Sequence, residues 1–295
     1  MNTFRSLLFI PGNSPKMLGK ASGLPADTIV PDLEDSVPPE EKANARAILS
    51  EHLPGLAAGG RPVFVRCNGM TTGMTWDDLK AVVSKHIVGI SIGKMESREM
   101  ALELSALLSV LERERGLPEG HTKVIPWIET GKGLANVREI AASTPRMLGI
   151  AFGAEDYSAD MGIARTKEGA EIATARVLTA IAARAADITP FDTPNVDFND
   201  MENLNQDCLT AKSLGFKGKF AIHPKQIETI NAVFRPSAAE VDWASRVVRA
   251  FEEGKRRGTA AVAVDGKMVD TPIWKNAVKI LDLHQAIERA EKVHR

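Results

Sequence analysis

The stretch TIVPDLEDSVPP, residues 28–39, decides the fold. A short β-branched, apolar run ends in three carboxylates, Asp32, Glu34 and Asp35. Pro38 and Pro39 then force the chain out of the strand before EEKANARAIL begins a helix. Runs of the same design recur at 6–11, 61–67, 88–94, 123–129, 147–153, 187–191 and 218–222, each ending in polar or charged residues. Between them lie helix-length segments with apolar positions at the 3.6-residue period, such as 97–115 and 168–186. Strands alternating with helices make a parallel sheet, and eight of them close a barrel, so the expected fold is α/β, a (β/α)8 TIM barrel. Residues 1–257 would form the catalytic barrel. The stretch 258–295, where GTAAVAVDGKMVDTP breaks the pattern, would form a C-terminal lid segment too short to build its own core.

Composition fits one large domain. The chain has 295 residues, 44% hydrophobic and 25% charged, enough to bury a full core. Lys and Arg total 37 against 38 for Asp and Glu, a net charge of −1 with no long run of either sign. Such a surface has no broad field for nucleic acid or an anionic membrane, which leaves a small polar substrate as the expected partner. Cys67 and Cys208 have no CxxC spacing and read as reduced, buried residues of a cytoplasmic protein. Only a short apolar run separates Arg5 from Pro11, and no later segment approaches a membrane span, so neither an export signal nor an anchor is expected.

Active sites of such barrels gather at the strand C-termini, which turns the terminal clusters into candidates. Extending strand alternation through PDLED puts Asp32 and Glu34 on one face and Leu33 and Asp35 on the other. Arg66, ending FVRCN, can hold a carboxylate bidentately or stabilise an enolate oxygen, and a salt bridge to the strand-2 acids is compatible with either role. Lys94, in GKMES with Glu96, raises a Schiff-base aldolase as an alternative, since apolar burial would free its amine. Glu129 in PWIETGKG and Asp156 in AFGAEDYSADMG lie 27 residues apart, one barrel repeat. Carboxylates from adjacent strand ends with water completing the shell suit Mg²⁺; an acidic rim balanced by Arg66 and Lys94 is the other reading. Glu155 would point away from Asp156. His223, before Pro224, reads as a turn histidine rather than a ligand, and GKG at 131–133 matches no phosphate-loop pattern.

The segments RSLLFIPGN, PDLEDSV, FVRCN, KMES, IET, FGAEDYSADMG, DTP, GFKGKFAIHP and DGKMVDTP, in that order over nearly the whole chain, resemble the citrate lyase β-subunit-like acyl-CoA lyases of the HpcH/HpaI aldolase superfamily. The resemblance implies a TIM barrel, trimeric or a multiple of trimers. It implies Mg²⁺ (Mn²⁺ as a substitute) used to make or break a carbon–carbon bond between a 2-oxo acid and an acyl-CoA enolate. It assigns Glu129 and Asp156 to the metal, Arg66 to the enolate and Asp270 of DGKMVD to a carboxylate delivered by the lid. An acid of the Asp32, Glu34, Asp35 cluster would take the hydroxyl proton of a substrate such as malyl-CoA or citramalyl-CoA. Arg5, Lys16 and Lys20 fall where the family holds the nucleotide of coenzyme A. Family members often carry Pro before the strand-4 Lys, where this chain has Gly93. Two further readings are the citryl-carrier-cleaving β subunit of a citrate lyase complex and a non-catalytic regulatory barrel.

Overall fold

A computed structural model of the chain describes residues 3–259 and 261–293. They divide into two compact units, one running from Phe4 to Asn231 and one containing the residues from Ala232 onward.

The first unit is the (β/α)8 barrel. Its strands are β1 (Ser6–Pro11), β2 (Thr28–Asp32), β3 (Phe64–Cys67), β4 (Gly89–Ile92), β5 (Lys123–Ile128), β6 (Gly149–Phe152), β7 (Thr189–Asp192) and β8 (Gly218–Ala221). They pair in sequence order, all parallel, and β1 pairs with β8 to close the cylinder. The interior is filled by alternate strand residues, among them Leu7, Val30, Phe64, Ile125, Trp127, Phe191 and Phe220. Phe9 stacks on both Trp127 and Phe220, with ring centroids 5.8 and 5.0 Å away. Trp127 satisfies its buried indole N–H by donating to Ser91 Oγ at 2.6 Å. The barrel axis is therefore a packed aromatic core rather than a pore, and chemistry is confined to its ends. Cys67 and Cys208 are buried and free, as expected.

β2 stops at Asp32, and strand alternation does not extend through the acidic cluster. The Asp32 carboxylate accepts the backbone N–H groups of Glu34 (2.8 Å) and Ser36 (3.0 Å), folding residues 33–37 into a turn. This corrects the two-face assignment of Asp32, Leu33, Glu34 and Asp35. A second correction concerns AEDYSADM: β6 ends at Phe152, and Asp156 sits in the first turn of the helix Ala154–Met161. Glu155 then points outward to Arg165, 3.0 Å away.

In the second unit the helix Ala238–Arg256 packs with a hairpin, β9 (Val262–Val264) and β10 (Lys267–Val269), and with the helix Thr271–Val293. Asp265 and Gly266 turn the hairpin with φ of +51° and +73°, the left-handed pair that a tight two-residue turn requires. Ala244, Val247, Phe251, Val269 and Ala277 form a small buried cluster, and Phe251 stacks on Trp274 at 5.4 Å. The unit boundary thus falls at Asn231, earlier than the 257/258 division read from the sequence. The reason is that the helix Ala238–Arg256 gives its apolar face to the tail, so the tail does share a core. Among the described residues no helix is long and apolar enough to cross a membrane.

Candidate active site

The C-terminal ends of β2 to β6 bring seven of the candidate residues to one place: Asp32, Glu34, Asp35, Arg66, Lys94, Glu129 and Asp156. Arg66 and Asp32 stand opposite each other in register on β3 and β2. Arg66 donates Nε to Asp32 Oδ1 at 2.8 Å and Nη2 to Oδ2 at 2.7 Å, a bidentate pair around a carboxylate with no solvent exposure. Its guanidinium also lies 4.3 Å from the Phe9 ring centre. The third nitrogen, Nη1, reaches Glu34 Oε2 and Asp35 Oδ2, each at 3.1 Å. Burial works to raise the Asp32 carboxyl, but the Arg66 charge and the bonds from Arg66, Ser36 and Glu34 outweigh it and hold it below the usual carboxylate range. Asp32 is thereby fixed as an anion. Asp35 is exposed.

Glu34 and Glu129 converge from β2 and β5 on the backbone of Gly93. A Cβ placed on Gly93 would sit 2.7 Å from Glu129 Oε1 and 2.8 Å from Glu34 Oε1, so a side chain there would have to displace both carboxylates. On its other side, a Cβ at Gly153 would lie 2.6 Å from Glu129 Oε2. Glycine at 93 is thus what lets two strand-end acids meet. Burial pushes Glu34 up to about 7, with Asp35, Asp32 and Asp156 adding to the effect and Arg66 opposing it. Burial pushes Glu129 up to about 8, reinforced by Glu34 and Asp156 and opposed by the Lys94 amide and Arg66. Burial of both carboxyls, with the Glu34 charge acting on Glu129, makes this a corner where ionising every acid is costly.

Lys94 bridges to the remaining acid. Its N–H donates to Glu129 Oε1 at 2.7 Å and its Nζ lies 3.4 Å from Asp156 Oδ1. The Asp156 charge raises the Lys94 ammonium pKa, and the side chain is half exposed, the opposite of what a Schiff-base amine needs. Glu96 braces the next loop: it accepts from Thr130 Oγ1 at 3.1 Å and pairs with Lys132 at 3.1 Å. Among the described residues no group of three or more His, Cys, Asp or Glu side chains is arranged to hold a metal ion.

The other candidates fall elsewhere. Arg5 precedes β1, at the end of the barrel away from these strand termini, and is 3% exposed. It grips Asp27 through Nε and Nη2 at 2.9 and 2.8 Å. This corrects its assignment to the coenzyme A nucleotide: Arg5 is a structural ion pair. Lys16 and Lys20 are exposed on the helix Pro15–Ala21 that follows β1. Asp270 caps the terminal helix, accepting the Ile273 N–H at 3.2 Å. His223 caps a turn through Nδ1, which accepts the Lys225 N–H, as expected of a turn histidine.

Two supporting residues escaped the sequence reading. Lys42 is buried and donates to the carbonyl oxygens of Leu33 and Glu34, both at 2.7 Å, anchoring the acidic turn. Asn68 donates to Leu33 O at 2.9 Å and to Asp78 at 2.7 Å. Lys42 lies in the charged start of a helix, where lysine ordinarily faces water, so the sequence carries no signal of its burial.

Comparison with known proteins points the same way. The family model for HpcH/HpaI aldolase/citrate lyase matches residues 5–224. The chain is 39% identical over 282 residues to citrate lyase subunit beta of Leuconostoc mesenteroides subsp. cremoris, covering 96% of this chain and 93% of that protein. It is 37% identical over 290 residues to a (3S)-malyl-CoA thioesterase of Cereibacter sphaeroides, covering 98% and 95%. Among solved structures, the protein CitE of Mycobacterium tuberculosis, in complex with magnesium, acetoacetate and coenzyme A, superposes with a TM-score of 0.77 at 30% identity, covering 95% of this chain and 97% of that one.

Proposed function

Since this chain belongs to the HpcH/HpaI aldolase/citrate lyase family, we propose that it is a divalent-cation-dependent carbon–carbon lyase. Its substrate would be a 3-hydroxyacyl-CoA thioester bearing a carboxylate, such as malyl-CoA or citramalyl-CoA, and its products acetyl-CoA and a 2-oxo acid. The observation that carries this reading is the convergence of Glu34 and Glu129 at Gly93, beside an Arg66 fixed by Asp32.

The residues fit Mg²⁺. Glu129 and Asp156 supply hard oxygen donors beside the single ammonium of Lys94, and two carboxylates with open positions are what Mg²⁺ takes from proteins. When bound, the ion would acidify the substrate hydroxyl and polarise the departing carbonyl. Glu34 is the member of the acidic cluster suited to remove that hydroxyl proton. Its affinity lies near neutrality, whereas Asp32 is held as an anion by Arg66 and Asp35 faces water. The C–C bond then breaks, its electron pair passing to the thioester as an enolate. Arg66, rigid on Asp32, presents Nη1 to that developing charge. Asp270 is proposed to return a proton to the enolate carbon, giving the acetyl thioester. Lys16 and Lys20 are proposed to contact the nucleotide phosphates.

The identity to citrate lyase subunit beta favours, as a second reading, the same cleavage on a carrier-bound citryl thioester. Purified protein with Mg²⁺ should be screened spectrophotometrically against malyl-, methylmalyl- and citramalyl-CoA, in parallel with a citryl-loaded acyl carrier. Release of a 2-oxo acid, abolished by EDTA and restored by Mg²⁺ or Mn²⁺, is expected. Thioester hydrolysis with no C–C cleavage, or full activity in EDTA, would defeat the proposal.

A further inference from the structure

Lys94 has an uncommon backbone for its residue type. Three non-glycine residues among those described have positive φ, namely Lys94 (+51°), Asp187 and Asp265. Aspartate tolerates that region because its short side chain can bond the local backbone; lysine has no such compensation. A strained conformation of this kind persists where its surroundings fix it, and such positions cluster at functional sites. Here the left-handed turn achieves two things together. It aims the amide at Glu129 Oε1 (2.7 Å), and it brings the ammonium of the same residue to Asp156 Oδ1 (3.4 Å). One residue thus touches both carboxylates assigned above to the divalent cation. Arg66 is committed to Asp32, so the ammonium facing the Glu129–Asp156 side is that of Lys94.

We propose that Lys94 is a positioning residue whose ammonium acts as an internal counter-cation, holding Asp156 until a divalent cation takes the carboxylate from it. This rests on the reading that Glu129 and Asp156 hold the ion. The contact is built for exchange. At 3.4 Å it is a loose pair, and the two side chains are 54% and 45% exposed, so the ammonium can move into water without being stranded. The amide bond to Glu129 does not depend on side-chain chemistry and survives the exchange, which keeps the buried ligand in place while the exposed one changes partner. Lys94 thereby sets the affinity of the site as well as its geometry: a divalent ion must displace a positive charge and then remain near it.

The test is Mn²⁺ binding, followed by electron paramagnetic resonance on metal-stripped full-length protein. Lys94→Met keeps chain length and backbone but removes the charge. It should bind Mn²⁺ about tenfold more tightly than wild type at low salt, the scale of removing one half-exposed charge a few ångströms from the ion. The gap should narrow as salt is raised, and Lys94→Arg should stay close to wild type. Asp156→Asn should weaken binding and erase the gain from Lys94→Met. Unchanged or weaker binding by a Lys94→Met protein that melts normally would overturn the proposal. Binding that ignores Asp156→Asn would instead overturn the assignment of the metal ligands, and the counter-cation role with it, so the two failures are distinguishable.

Discussion

Arg66 and Asp32 face each other in register on adjacent strands, joined by two hydrogen bonds of 2.8 and 2.7 Å. Two of the guanidinium nitrogens are consumed in fixing the group, and Nη1 is left toward Glu34 and the mouth. Lysine would keep the charge without the planar fork. Arg66→Lys should therefore bind Mn²⁺ normally but lower kcat by about 10²-fold, the scale of one preorganised transition-state contact. Asp32→Ala strands the buried cation and should cost about 3–5 kcal/mol in urea melts. An unchanged kcat in Arg66→Lys would reduce Arg66 to a structural role.

Glu34, not its neighbours, is expected to carry the proton. Glu34→Gln should lower kcat by about 10²–10⁴-fold, whereas Asp35→Asn, at an exposed position, should stay within a few-fold of wild type. Steady-state kinetics on the active thioester decide this. An Asp35 variant as damaged as the Glu34 variant would move the base.

Gly93→Ala separates the fold from the site. The atoms its methyl would meet are the ends of two side chains, Glu34 and Glu129, which can swing away, so melting temperature should change little. Both carboxylates would then leave their meeting point. Mn²⁺ affinity and kcat should fall together by at least about tenfold, the range for disturbing groups that orient metal ligands. Wild-type metal affinity in this variant would show that the convergence at Gly93 is incidental.

The pH dependence follows from the same pair. Glu34 and Glu129 are raised from ordinary values of 4.5 to about 7 and about 8. For carboxyls with raised pKa, the folded state binds protons that the unfolded chain releases. Their contribution to stability is full below the unfolded value and is lost as pH rises through the folded one. Metal-free protein should therefore lose melting temperature from about pH 5 to about pH 8, and Mg²⁺ should restore more of it at the upper end. Binding near neutrality should also release protons, read by calorimetry in buffers of different ionisation enthalpy. A flat metal-free profile over this range would contradict the shifts.

Asp270 is proposed to act from the neighbouring subunit of a closed oligomer. On that reading Asp270→Ala would lack the proton donor and Asp156→Ala one of the two metal ligands. Equal co-expression should then restore about one quarter of wild-type sites, because each site needs an intact barrel and an intact neighbouring tail, each present half the time. Mixed oligomers, verified by tag pull-down, that recover nothing would place Asp270 in cis or remove it from catalysis.

The barrel was legible because each strand is a short apolar run halted by polar residues, and Arg66 and Glu129 stand where those runs end. Strand periodicity failed at Asp32, whose carboxylate binds the amides of Glu34 and Ser36. A side chain that closes a turn breaks the two-residue period without changing the composition. Arg5 misled for a different reason: its partner Asp27 is 22 residues away, and only the folded sheet brings the two together. The role of Gly93 was also hidden, since a glycine required by its neighbours' side chains looks the same in sequence as one required by its own dihedral angles.

Glu129 is pinched between Gly93 and Gly153, its two oxygens each closer to one backbone than a methyl group would allow. An unrestrained glutamate gives up about 1.5–2 kcal/mol of rotamer freedom when it is fixed. That entropy is surrendered once, when the barrel closes, and not again each time the site is filled. On the reading that Glu129 is a metal ligand, this carboxylate would meet an arriving ion already in its pose.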